Sequence, residues 1–215
     1  MYGIKRVNNL KVEMLLKCHL VAYCNCYGIT TEKAAILIDP GKYTNELADF
    51  LKNNADKTRL ILLTHAHYDH IGGALQLREE TGVKIAIGKN DEFALSDKAY
   101  NLSGKYTLAI PSYNADYTID DEEEFTVGDI TVKAYEMPGH TKGSMCYLLG
   151  DNLFSGDVLF RETVGRTDLP GGDIADMKKS LDRMMWIFDD EIKVFSGHTQ
   201  PTTIGYEREN NPYLR

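Results

Sequence analysis

The sequence lacks the long apolar segments of a membrane protein. No apolar run approaches the ~20 residues that a bilayer-spanning helix needs. The N-terminus also lacks the basic-then-apolar pattern of a signal peptide. We therefore predict a cytoplasmic protein that does not interact with membranes.

Cysteine is also scarce, with four among 215 residues. Cys24 and Cys26 are two apart in an apparent strand, which is a poor geometry for a disulfide between them. Cys18 and Cys146 also lie in strand-like runs. We expect all four to be reduced packing residues, as in a reducing compartment.

Acidic residues outnumber basic ones, which argues against a nucleic-acid partner. Lys and Arg number 24 against 32 Asp and Glu, a formal net charge of −8. A nucleic-acid-binding surface would normally show a basic stripe. We therefore expect a small-molecule substrate rather than a nucleic acid. The 43% hydrophobic content is enough for a sizeable core.

Strand-like and helical patterns alternate along the chain. The predicted strands are Val12–Leu16, His19–Tyr27, Ala34–Ile38, Arg59–Leu63, Lys84–Ile87, Phe125–Val127, Ile130–Glu136, Met145–Leu149, Asn152–Phe154 and Lys193–Phe195. Tight turns at Gly128-Asp129 and Gly150-Asp151 predict antiparallel hairpins, and hence mixed sheets. The stretch from Ser96 to Glu124 has the weakest pattern.

Helical periodicity fits three segments, Thr44–Asn53, Ile71–Thr81 and Asp173–Phe188. Asp173 is the predicted N-cap of the last helix. Its predicted core face consists of Ile174, Met177, Leu181, Met184 and Phe188.

The segment Thr64-His65-Ala66-His67-Tyr68-Asp69-His70 holds four potential metal ligands directly after the apolar run Leu60–Leu63. Side chains two apart on an extended segment point the same way, so His65 and His67 can meet at one ion. Asp69 and His70 follow where the chain turns, and they could serve a second ion. His19, in contrast, is interpreted as an ordinary polar residue.

A second pattern recurs in Pro138-Gly139-His140, Ser155-Gly156-Asp157 and Ser196-Gly197-His198. In each, a glycine lets the backbone turn sharply after a strand-like run, just before a potential ligand. Together with the first cluster this makes seven ligands, which suit two ions that share a carboxylate. We assign His65, His67 and His140 to one ion, and Asp69, His70 and His198 to the other. Asp157 is assigned as the bridge.

These motifs, with Asn25-Cys26-Tyr27, Asp39-Pro40-Gly41 and Gly165-Arg166-Thr167-Asp168, resemble the metallo-β-lactamase superfamily, and within it the glyoxalase II-like hydrolases. The resemblance covers nearly the whole chain. It implies an α/β fold, a four-layer αβ/βα sandwich of two mixed β-sheets with helices on the outer faces. It further implies a single domain over residues 1–215, without the helical glutathione-binding domain of full-length glyoxalase II, and Asp39 as a structural acid near the site.

The resemblance implies hydrolysis of a thioester, or of a related activated ester, by a metal-bound hydroxide. The cofactors would be two divalent metal ions, Zn²⁺ in the first instance, with Fe or Mn as alternatives. Asp69 would orient the attacking hydroxide or move its proton. Arg166 is the candidate contact for a substrate carboxylate, and the alternative for Arg166 is an ion pair with Asp168 or Asp173.

Other functions remain open at the level of sequence. A persulfide dioxygenase branch with similar motifs would hold one iron through His65, His140 and Asp157. A non-enzymatic metal-binding protein of this fold is a third possibility. The absence of a cysteine ligand argues against a β-lactamase of the commonest class, and the acidic composition argues against a nuclease.

Overall fold

The computed structural model describes residues 10–19, 22–106 and 110–214. Its strands form two six-stranded mixed sheets and one short hairpin. The strands are β1 (Lys11–Leu16), β2 (Cys26–Thr30), β3 (Ala34–Ile38), β4 (Thr58–Leu63), β5 (Lys84–Gly88), β6 (Tyr117–Ile119), β7 (Glu124–Val127), β8 (Ile130–Glu136), β9 (Met145–Leu149), β10 (Asn152–Gly156), β11 (Leu159–Phe160), β12 (Thr163–Val164), β13 (Lys193–Ser196) and β14 (Thr202–Thr203).

The first sheet has the strand order β1-β2-β3-β4-β5-β6, and the second has the order β14-β13-β10-β9-β8-β7. Strands β3 to β6 run parallel to one another, whereas β1 and β2 are antiparallel additions. In the second sheet only β10 and β13 pair in parallel. The predicted hairpins at Gly128 and Gly150 are confirmed by the antiparallel pairs β7/β8 and β9/β10.

The helices cover the outer faces of the sheets. They are α1 (Asn45–Asn53), α2 (Tyr68–Ile71), α3 (Ala74–Thr81), α4 (Ile174–Ile187) and α5 (Ile204–Asn210). Leu37 and Ile61 point outward from the first sheet against Leu47 of α1 and Leu77 of α3. On the opposite side, Met184 and its neighbours in α4 pack against the second sheet.

The layer between the sheets is the third part of the core. Ile36 and Leu62 of the first sheet pack there with Val132 and Tyr147 of the second. Since β3 and β4 are covered on both faces, β3 and the Leu60–Leu63 part of β4 are continuously apolar rather than alternating. The predicted four-layer α/β sandwich is therefore confirmed. Within the described residues, no helix is long and apolar enough to cross a membrane.

One predicted helix is divided. The segment predicted as Ile71–Thr81 forms α2 and α3, with Gly72 and Gly73 between them. A Cβ at either glycine would lie 2.4 Å from the main chain of Gly41 or Lys42. Helix α2 begins earlier than predicted, so Asp69 and His70 lie in its single turn rather than in a loop.

Several other predictions about strands and helices were wrong. The strand predicted over His19–Tyr27 begins only at Cys26, so Cys18 and Cys24 lie outside strands; Leu20 and Val21 fall outside the described residues. Ile174, placed on the core face of α4, is 63% exposed. Strands β6, β11, β12 and β14 and helix α5 were not predicted.

Candidate metal centre

All seven predicted ligand residues meet at one edge of the two sheets. His65 and His67 follow β4, while Asp69 and His70 lie in α2. The other three follow strands of the second sheet, His140 after β8, Asp157 after β10 and His198 after β13. His19 is exposed, stacks against Tyr23, and joins none of the histidine groups found among the described residues.

The histidines assigned to the first ion form a buried trio. His67 Nδ1 lies 3.1 Å from His65 Nε2 and 2.9 Å from His140 Nε2. The rings of these residues are at most 3% exposed. One nitrogen from each ring lies within 4.8 Å of the others, which is close enough for a single ion to contact all three.

Asp69, His70 and His198 form the second trio, also with ligand atoms within 4.8 Å of one another. His198 Nε2 lies 3.2 Å from Asp69 Oδ2 and 3.4 Å from His70 Nε2. This trio is closer to solvent, since the side chain of His198 is 22% exposed and that of Asp69 is 13% exposed.

Asp157 lies between the two trios. Its Oδ2 atom is 3.4 Å from His140 Nε2 and 3.4 Å from His198 Nε2. Its Oδ1 atom is 3.3 Å from His70 Nε2. A carboxylate in contact with both groups is the arrangement that a bridging ligand requires.

The outer nitrogens of four imidazoles have partners of their own. His140 Nδ1 donates to the main-chain oxygen of Arg166 at 2.7 Å, and His70 Nδ1 donates to Asp39 Oδ2 at 2.9 Å. Because a carbonyl and a carboxylate can only accept, a single ring proton would lie on the outer nitrogen, and the inner nitrogen would then direct its lone pair toward the centre.

His65 and His198 have hydroxyl and thiol partners instead. His65 Nδ1 lies 3.2 Å from Thr64 Oγ1, whose own proton goes to Asp39 Oδ2 at 2.6 Å. His198 Nδ1 lies 3.2 Å from Cys18 Sγ. The expectation that all four cysteines are packing residues therefore fails for Cys18, although none of the four forms a disulfide.

Two glycines leave room for these side chains. A Cβ at Gly197 would lie 2.4 Å from Asp157 Oδ1 and 2.7 Å from His70 Cε1. Gly156 has a φ of +50°, and a Cβ there would lie 2.4 Å from Thr64 Oγ1. The glycines before Asp157 and His198 thus leave space for side chains of the centre.

Burial and neighbouring charges set the protonation of the two trios. Burial, together with the other imidazoles, lowers the pKa of His67 to about 3 and that of His65 well below its usual value. Burial alone would also lower the pKa of His198, but the Asp157 and Asp69 carboxylates raise it to about 12. Despite its burial, Asp157 has a lowered pKa because His198 and His70 stabilise its anion.

These properties fit a pair of cations. Asp157 Oδ1 faces the centre and is buried without a hydrogen-bond partner. The imidazoles of the first trio cannot all donate to one another, whereas each could donate a lone pair to a metal ion. Imidazole and carboxylate donors suit Zn, Fe and Mn alike, so the donor set does not select one metal.

Arg166 lies on the loop that orients His140, but its guanidinium is bound by another residue. Its Nε and Nη2 atoms donate to the two carboxylate oxygens of Asp168 at 2.6 and 2.7 Å. Both side chains are more than half exposed. The ion pair with Asp168 is thus present, and Asp173 instead caps α4 through the amides of Ala175 and Asp176.

Two buried residues beside the centre were not predicted as site residues. Asp91 follows β5 and accepts hydrogen bonds from the main chain of Ala66 and Gly143. Asn25 precedes β2 and binds the main chain around His198. Neither lies near a ligand in sequence, so spacing could not reveal them.

Comparison of the sequence with known proteins identifies relatives in one family. The sequence model of the metallo-beta-lactamase superfamily matches residues 20–198. Among curated relatives, the probable metallo-hydrolase YqgX of Bacillus subtilis is 31% identical over 88% of this chain and 92% of its own length. The hydroxyacylglutathione hydrolase GloC of Haemophilus influenzae is 32% identical over 85% of this chain and 88% of its own.

Solved structures agree with this result. BLEG-1, a B3 metallo-beta-lactamase, has a TM-score of 0.84 at 35% identity, and the match covers 96% of this chain and 99% of that one. TTHA1623 in a di-iron-bound form has a TM-score of 0.78 at 32% identity, with coverages of 90% and 96%. ETHE1 from Myxococcus xanthus has a TM-score of 0.72 at 26% identity, with coverages of 95% and 83%.

Proposed function

The chain belongs to the metallo-beta-lactamase superfamily of metal-dependent enzymes, and we propose that within it the protein hydrolyses a thioester or a related activated ester. The observation that carries the proposal is the placement of Asp157 in contact with two separate trios of ligands. A centre with two metal positions and one shared carboxylate is suited to hydrolysis.

In this proposal His65, His67 and His140 hold one divalent ion, and Asp69, His70 and His198 hold the other. Asp157, which contacts residues of both trios, would be the ligand that the two ions share. Bound there, the ions would polarise a carbonyl group and lower the pKa of water from 15.7 towards about 7, so that a nucleophile is available at neutral pH.

The protein's own groups would direct the reaction around that nucleophile. Asp69 is the more accessible of the two carboxylates, and its Oδ2 atom faces His198 at 3.2 Å. It could accept the proton of the attacking water and hold it while the tetrahedral oxyanion forms. The thiolate of a thioester leaves without a dedicated acid, since a free thiol has a pKa of about 8.5.

The relatives support hydrolysis, and one of them supports a thioester. GloC is named as a hydroxyacylglutathione hydrolase, and YqgX as a probable metallo-hydrolase. BLEG-1 is named as a β-lactamase, so a β-lactam is the competing hydrolytic substrate. Zn²⁺ is the metal that we propose, with Fe as the alternative that the di-iron form of TTHA1623 supports.

A second candidate is the oxidation of a persulfide at a single iron held by His65, His140 and Asp157. Two observations support this candidate: the likeness to ETHE1, and the 3.4 Å contact between His140 and Asp157. Two histidines and one carboxylate are the ligand set of many oxygen-activating iron enzymes.

The test combines metal analysis with a substrate panel. Protein purified without added metal or chelator is analysed for Zn, Fe and Mn per chain. It is then assayed with a hydroxyacylglutathione thioester, a lactone, a phosphodiester, a β-lactam and glutathione persulfide, the last in an oxygen electrode. We expect two metals per chain and the highest kcat/KM with the thioester. One iron per chain with oxygen uptake on persulfide would overturn the hydrolase proposal.

A further inference from the structure

Two buried polar side chains lie outside the proposed ligand set, yet they bind the main chain close to several of its members. Asp91 is 0% exposed and Asn25 is 3% exposed. Each comes from a loop of the first sheet and reaches a loop of the second. Asp91 binds the main chain beside the first trio, and Asn25 binds the main chain beside His198 of the second trio.

Asp91 serves the loops of the first trio. Its Oδ2 atom accepts from the amide of Ala66, at 3.1 Å, between His65 and His67. Its Oδ1 atom accepts from the amide of Gly143, at 3.0 Å, three residues after His140. One carboxylate therefore connects the two chain segments that supply the three histidines.

The position of Asp91 at the start of a short helix shows that its side chain is not an ordinary helix cap. Asp91 precedes the 3-10 helix Glu92–Leu95 at the N-cap position, where an aspartate would ordinarily bind the first amides of the helix. Its side chain makes no such cap and turns to the ligand loops instead. Gly143 fits closely against it, because a Cβ there would lie 2.4 Å from the Asp91 amide nitrogen.

Asn25 serves the second trio in the same way. Its Nδ2 atom donates to the main-chain oxygens of Ser196 and Thr199, both at 2.9 Å, and its own amide donates to Gly197 at 2.7 Å. The main chain is therefore held on both sides of His198. The Oδ1 atom accepts from the amide of Cys18 at 2.7 Å, and the thiol of Cys18 contacts His198.

We propose that Asp91 and Asn25 are positioning residues for separate metal ions, Asp91 for the ion of His65, His67 and His140, and Asn25 for the ion of Asp69, His70 and His198. The inference rests on the two-ion centre of the proposed function, but not on its substrate. Each residue fixes the main chain next to a ligand, and neither contacts the ion.

The consequence is that the two metal positions can be weakened one at a time. In Asp91→Asn one oxygen becomes an amide group, which places a donor against a main-chain amide that needs an acceptor. In Asn25→Asp two donors are lost and a carboxylate faces two main-chain oxygens. Loss of an outer partner of a metal ligand typically weakens metal binding by roughly 10–100-fold.

Two matched substitutions lie away from the centre. Asp116 also accepts a hydrogen bond from a main-chain amide, that of Ile85 at 3.0 Å, so Asp116→Asn is the control for Asp91→Asn. Asn152 also donates to a main-chain oxygen, that of Leu149 at 3.2 Å, so Asn152→Asp is the control for Asn25→Asp. Neither control residue contacts a ligand loop.

The experiment titrates the chelator-treated full chain with Zn²⁺ against a competing chelator. Anomalous diffraction at the zinc edge then locates the weakened position in each variant. We expect Asp91→Asn to weaken the first position roughly 10–100-fold and leave the second within about threefold, and Asn25→Asp to do the reverse. Both controls should match the unsubstituted protein.

Folding is followed separately by circular dichroism of the metal-free variants. Asp91→Ser and Asn25→Ser take the place of any variant that does not fold, because serine is smaller and uncharged. Equal loss at both positions in each variant would show a merely structural role and overturn the inference, as would unchanged affinities. If the unsubstituted protein binds only one Zn²⁺, the two-ion centre itself is wrong, whatever the variants do.

Discussion

The main-chain oxygen of Arg166 lies 2.7 Å from Nδ1 of His140, so the loop that carries the arginine also orients a histidine of the first trio. The contact involves the main chain, and the side chain of Arg166 is bound by Asp168 instead. Side-chain substitutions at Arg166 therefore leave the orientation of His140 in place, and they can test a role in substrate binding by themselves.

Arg166→Ala should raise the KM for an anionic thioester several-fold while changing the KM for a neutral thioester little, because only the anionic substrate loses a charged partner. Asp168→Asn should act in the opposite direction, since it releases the guanidinium for the substrate. Steady-state kinetics with a matched pair of thioesters measures both effects. Equal changes with the two substrates would exclude Arg166 as the carboxylate contact.

His67→Ala and Asp157→Ala should each abolish turnover, because each removes a donor to the proposed ions. The fall in kcat/KM should exceed the roughly 10–100-fold expected for loss of an outer partner. His19→Ala is the control, since this exposed histidine joins neither trio. Metal content is measured on the same samples, and full activity in either variant would mean that the reaction occurs elsewhere.

Removal of metal by a chelator should lower the thermal stability of the protein together with its activity. A ligand at 100 times its Kd stabilises the folded state by about 2.7 kcal/mol. For a chain of this size that corresponds to a fall in Tm of about 5–10 °C on chelation. Differential scanning calorimetry with and without re-added Zn²⁺ measures the shift, and an unchanged Tm would contradict a tightly bound metal.

The ligand residues could be predicted from sequence because their signals are local. His65, His67 and His70 lie within one short segment, and a glycine precedes His140, Asp157 and His198 in each case. The supporting residues have no such signal. Asp91 meets its partners 25 and 52 residues away, and Asn25 reaches across 171 residues to Ser196. Only the pairing of the two sheets brings them together.

The errors in the predicted elements have physical causes as well. Tyr117–Ile119 forms an edge strand of three residues, too short to show a period. Ile174 fits the apolar spacing of α4, but it is the first residue of the helix and is 63% exposed. Periodicity indicates which residues share a helix face without indicating how far that face is covered.

Two residues of α4, the buried Met184 and the exposed Ile174, give a direct test of how this helix packs. Met184→Ala should reduce the free energy of unfolding by about 2–5 kcal/mol, because Met184 is fully buried between α4 and the second sheet. Ile174→Ala should change it by less than about 0.5 kcal/mol, since Ile174 is 63% exposed. Urea unfolding at constant metal concentration measures both, and equal effects would contradict this arrangement of α4.

The proposed ligands come from segments that follow strands of both sheets, and hydrogen bonds also connect the two sheets at that edge. Among these are the contacts of Tyr147 with Leu63 and of Met145 with Thr64. An ion bound at this edge would fasten one half of the sandwich to the other. In a cell starved of divalent metal the chain would open more often and be degraded sooner. Its abundance, and not only its activity, would then follow the metal supply.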